Sequence, residues 1–93
     1  MIQKKIRKYL ESKGWKVYIG IESNNQFTPE IHAMKKGSLP IWLSITDENP
    51  TIHILQQKEM VKIQKCGQFA QVIKDLDYLK KYLVLIQKIQ ELR

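Results

Sequence analysis

The chain is short of cysteine, of acid and of long apolar runs, and each shortage removes a class of protein. Cys66 is the only cysteine among 93 residues, so an intrachain disulfide is excluded, and a reducing compartment is the default. No stretch approaches the roughly 20 apolar residues that a membrane helix needs. The basic start, Met1 to Leu10, leads into no long apolar segment and no small-residue cleavage site, so it does not read as a secretory signal. These features together point to the cytoplasm and to no membrane partner. His32 and His53 are far apart and have no Cys or His companions, which argues against a zinc motif. His32 reads as a partly exposed structural histidine and Cys66 as a packing residue at a helix end. Trp15 and Trp42 read as core.

The acid shortage leaves an excess of base. Sixteen Lys and Arg face nine Asp and Glu, for a net charge of +7, which on charge alone suits a polyanionic partner: nucleic acid, an anionic membrane surface or an acidic protein. The length fits a single domain over residues 1–93, with no repeats and no low-complexity linker. A chain this short buries a modest fraction of its surface, so association with a second copy would help it.

Hydrophobic spacing divides the chain into seven elements. Ile2, Ile6, Tyr9 and Leu10 mark an amphipathic helix over Ile2 to Lys13, ended by Gly14. Trp15 to Ile21 alternates and carries β-branched and aromatic residues, as a strand does. Ser23 to Gln26 reads as a polar loop, and Glu30 to Met34 as a second strand turned by Lys36-Gly37-Ser38. Ile41 to Ile45 is apolar on both faces up to Ser44, as in a central strand. Asp47-Glu48-Asn49-Pro50 reads as a loop and Gln56 to Lys65 as a helix. Phe69 to Ile73 is a fourth strand. Asp75 caps a final helix whose stripe runs from Leu76 to Leu92. The expected class is α/β (α+β), order α-β-β-β-α-β-α, with a mixed sheet of about four strands. The helix between the last two strands implies a crossover and a parallel pair.

Four features stand out in this order: Pro29-Glu30, the apolar strand Ile41-Trp42-Leu43-Ser44-Ile45-Thr46, Gln56 or Gln57 followed by Lys58-Glu59-Met60, and Gly67 before the last strand. The arrangement resembles the small VRR-type nucleases of the PD-(D/E)XK, or restriction-endonuclease-like, superfamily, and the resemblance spans nearly the whole chain. It implies that Pro29-Glu30 stands where the family has Pro-Asp. Ser44 and Thr46 then stand at the Glu and Lys of Glu-x-Lys, Gln3 at the first-helix Glu, and Gln56 at the helix Gln.

In such nucleases a carboxylate cluster holds Mg²⁺, because hard cations need oxygen ligands and draw most affinity from anionic ones. The metal polarises the phosphate and helps generate hydroxide. Here Gln3, Ser44 and Thr46 are uncharged, and Glu30 is the surviving carboxylate. The expectation is a nuclease-fold protein that binds DNA, including branched DNA, without efficient cleavage and without a cofactor. One alternative is an active Mg²⁺ nuclease with a migrated site at Glu30, Asp47 and Glu48. Another is a protein-binding module, such as a phage or mobile-element inhibitor.

Lys4, Lys8, Lys35, Lys36, Lys58 and Lys62 are the candidate phosphate contacts, provided the fold gathers them. Tyr82-Leu83-Val84-Leu85-Ile86 is apolar all the way round its helix, which predicts a homodimer built on that helix.

Overall fold

The structure, a computed structural model, describes residues 2–20 and 29–92. The loop expected at Ser23 to Gln26 and the end of the first strand at Ile21 lie outside these residues. The element order is α1 (Ile2–Ser12), β1 (Lys16–Ile19), β2 (Ile31–Met34), β3 (Ile41–Ile45), α2 (Pro50–Lys65), β4 (Phe69–Ile73) and α3 (Leu76–Glu91). The strands form a mixed sheet in the order β1-β2-β3-β4. β1 with β2 and β2 with β3 are antiparallel, while β3 with β4 is parallel, with α2 as the crossover.

Strand alternation sends side chains to two different layers. Val17, Ile31, Ala33, Ile41, Leu43 and Ile73 pack with Ile6 and Leu10 of α1 and with Leu79 and Ile86 of α3. The opposite face is covered by α2, where Met60 packs on Ala70 and Val72 with Trp42 and Ile63 beside them. β3 is therefore apolar on both faces because it has helices on both sides, as its sequence predicted.

Two expectations need correction. α2 begins at Pro50 and not at Gln56: Asn49 is its N-cap, accepting the backbone N–H of Thr51 at 2.9 Å, and Pro50 occupies the first turn, where its missing N–H costs nothing. Cys66 is exposed and not packed, because it falls on the C-cap just beyond the last turn. Trp15 is buried as expected. Trp42 is half-buried, its indole Nε1 donating to Gln68 Oε1 and its ring stacked on His32, centroid to centroid 3.8 Å.

Candidate functional site

Strand direction sorts the chemistry-bearing residues between two ends of the sheet. β3 and β4 run together, so Ile45 and Ile73 finish at one end. β2 runs the opposite way, so Glu30, immediately before it, starts at that same end. α2 and α3 leave from there, and α1 starts there through Gln3. Glu30 lies one step past the Ile31–Leu43 pair, which brings it to Ser44 on the neighbouring strand.

The Glu30 carboxylate is engaged on both oxygens. Oε1 accepts the backbone N–H of Ile45 at 3.0 Å, and Oε2 accepts the amide Nε2 of Gln3 at 3.1 Å. Since a carboxylate only accepts, this bond also fixes which way the Gln3 amide points. Gln56 grips the same residue from the other side: its Nε2 donates to the Ile45 carbonyl at 3.0 Å, and its Oε1 accepts the Asp47 N–H at 3.3 Å. Gln3, Glu30 and Gln56 thus join one hydrogen-bonded chain through the end of β3. Thr46 follows directly, its backbone N–H bonded to the Ile73 carbonyl at 2.9 Å. Ser44 is buried on β3, with 4% of its surface exposed.

His53, on the first turns of α2, also reaches this end. Its Nδ1 lies 3.4 Å from Thr46 Oγ1, and its Nε2 lies 3.5 Å from the amide of Gln57. An amide donating to Nε2 assigns the ring proton to Nδ1, facing the Thr46 hydroxyl. Sequence reasoning passed over His53 because the helix that presents it was expected to begin three residues after it. The Asn49-Pro50 pair carried the missing signal.

Glu30, Asp47 and Glu48 do not assemble. Asp47 turns its Oδ1 back onto the N–H of Asn49 at 2.8 Å, shaping the entry to α2, and Glu48 is exposed. Among the described residues, no three His, Cys, Asp or Glu side chains gather as a metal site. A resident Mg²⁺ does not fit here. One carboxylate is present where a hard cation wants several oxygens, and the groups facing it are N–H donors, which present positive charge.

The candidate lysines do not converge either. Lys35 and Lys36 sit at the opposite end of the sheet, just beyond β2. Lys4 and Lys8 are exposed on α1, while Lys58 and Lys62 are exposed on α2, on the other face, with Lys62 held 3.6 Å from Glu59. Midway along the sheet, the stacked His32 ring has a buried Nε2 with no hydrogen-bond partner among the described residues. That burial holds its pKa below the ordinary histidine value.

The architecture matches a solved structure titled "VRR_NUC domain", with a TM-score of 0.72, 18% sequence identity, and coverage of 88% of this chain and 89% of that one. No protein-family model matches the sequence, and no curated protein matches it. At 18% identity the likeness is one of fold. The fold shared with that domain is the mixed four-strand sheet in the order α-β-β-β-α-β-α that the sequence predicts.

Proposed function

We propose that this protein is a nuclease-fold DNA-binding protein whose inherited catalytic end has become a structural junction. The observation that carries the reading is the Glu30 carboxylate, with one oxygen accepting from Ile45 N and the other from Gln3 Nε2. Gln3 cross-links α1 to the start of β2 where the family resemblance implies a second metal-binding carboxylate. Ser44 and Thr46 supply no charge at the places of Glu and Lys. The amide and carboxylate do by hydrogen bonding what a cation would do by coordination: they tie α1, β2 and β3 together. Supporting the DNA partner are the net charge of +7 and the fold. Such binding acts through displaced counterions, so it weakens as salt rises. We further propose that the protein is a homodimer joined through α3, whose Val84, Leu85 and Leu92 are exposed.

The test is incubation with linear and branched DNA in Mg²⁺ or Mn²⁺, alongside affinity measured against salt. Intact DNA and salt-sensitive binding are expected. Cleavage that disappears in Glu30→Ala would overturn the proposal, as would absence of binding at low salt.

A further inference from the structure

Toward the end of the sheet away from Glu30, the end of α1, the Lys80–Glu91 stretch of α3 and the β2–β3 turn line an open groove of about 570 Å³. Its size falls within the roughly 300–1,000 Å³ typical of ligand sites. Lys13, Lys35, Lys36 and Lys80 all line it. Lys13 follows α1, Lys35 and Lys36 stand on the β2–β3 turn and Lys80 on α3, so the charge is gathered by packing and not by a local run.

Three of the four, Lys13, Lys35 and Lys80, lie against aromatic rings. Lys13 Nζ lies 5.7 Å and Lys80 Nζ 5.3 Å from the centre of the same Tyr9 ring, one reaching from just past the end of α1 and the other from α3. Lys35 Nζ lies 5.7 Å from the Trp15 ring, its stem passing over Gly14, where an added Cβ would touch Lys35 Cε at 3.6 Å. The turn itself is pinned: Gln90 on α3 accepts the Leu39 N–H at 3.3 Å and donates to Ser38 Oγ at 3.0 Å, and Gly37 supplies the positive φ of 84°. Among the described residues, Arg7 pairs with Glu11 and Lys62 with Glu59, and no groove lysine forms an ion pair. Glu91, at the groove edge, accepts a hydrogen bond from Gln87. Cation–π contacts fix direction but leave the full positive charge in place.

We propose that this groove, and not the Glu30 end, seats the phosphodiester backbone of bound DNA. The proposal rests on the DNA-binding reading above and names its surface. Two ammonium groups over one ring repel each other, and phosphate oxygens between them relieve that repulsion. Lys5, exposed one turn before Tyr9 on the same row of α1, extends the positive charge beyond the groove, which suits an extended polyanion better than a single small anion.

The experiment compares two double variants of the full chain that carry the same net charge: Lys35→Glu/Lys80→Glu in the groove and Lys58→Glu/Lys65→Glu on α2. Each is first checked for a wild-type melting temperature, with Lys35→Gln/Lys80→Gln as a milder groove variant. Binding of a fluorescent duplex is then followed by anisotropy across a salt series. The groove variant is expected to lose roughly tenfold or more in affinity near 0.1 M salt, and its log–log salt slope to become shallower by about 2, at about 0.9 per phosphate contact. The α2 variant is expected to keep the wild-type slope. Equal losses in both variants would overturn the groove while leaving DNA binding intact. A wild-type protein that binds no DNA at low salt would overturn the DNA reading and the groove with it.

Discussion

The two ends of this sheet are built from opposite materials. At the Glu30 end a carboxylate and two glutamines spend their hydrogen bonds on one another and on the backbone at the end of β3, while Thr46 bonds the Ile73 carbonyl of β4. At the other end, Lys13, Lys35 and Lys80 lie over aromatic rings and form no ion pair among the described residues. The first end is satisfied and so stabilises the fold. The second is unsatisfied and so is available to a ligand. Mutations should therefore divide cleanly, with stability lost at one end and affinity at the other.

The harshest test restores the charge that the resemblance implies was once there. Ser44→Glu puts a carboxylate into a site with 4% exposure, one strand away from Glu30. A buried charge without a partner costs about 3–5 kcal/mol, and the like charge of Glu30 adds to the penalty. Urea unfolding should show a loss of that size with little change in slope. A variant as stable as wild type would mean that the nuclease geometry persists behind neutral residues.

Glu30→Ala is the next largest. It removes the part-buried hydrogen bonds to the Ile45 N–H and the Gln3 amide, at a cost of about 1 kcal/mol each. DNA affinity should stay within about twofold of wild type, since Glu30 lies away from the lysine groove and its removal leaves every phosphate contact intact. A large change in affinity with unchanged stability would reverse the assignment of the two ends.

Between the ends, His32 offers a titration. Its pKa is lowered by burial, so the unfolded chain takes up a proton before the folded one does. Stability is then present above the ordinary histidine value of about 6.5 and falls as pH drops below it, toward the lowered folded pKa. His32→Phe should keep the stack on Trp42 and remove this part of the acid sensitivity. An unchanged pH–stability curve in that variant would assign the acid response to other groups.

The sequence carried the fold further than it carried either end. Alternation set the strands, and the apolar run Ile41 to Leu43 announced a strand covered on both sides. The parallel β3–β4 pair followed from the helix between them. The pairing of Glu30 with Gln3 was reachable through the resemblance, which put both residues in one site. The groove was not legible. Lys80 is one exposed lysine among several on α3, and periodicity does not say which neighbour a helix edge will meet. It is the packing of α1 beside α3 that brings Lys80 to Tyr9. His53 was hidden by a boundary: reading Asn49-Pro50 as loop in place of cap and first turn moved the start of α2 by six residues.

The smallest energetic effect concerns α3 and bears on whether the lysine end acts alone. Leu85 is 52% exposed, Val84 53% and Leu92 87%, while Leu79 and Ile86 on the same helix are buried. The helix therefore has an inner stripe that the sheet covers and an outer apolar strip that it leaves open. Pairing with a second copy would cover that strip, and a two-fold dimer is the commonest way to do so. Val84 also lines the groove, so the proposed interface borders the proposed DNA seat. Light scattering at micromolar concentration should give twice the chain mass of 11.0 kDa for wild type and the single-chain mass for Leu85→Lys. As an exposed position, Leu85→Lys should change the stability of the single chain by no more than about 0.5 kcal/mol. Its DNA affinity should fall, because two linked grooves bind one duplex more tightly than one. A wild-type mass of one chain, unaltered by the substitution, would leave each groove to act alone.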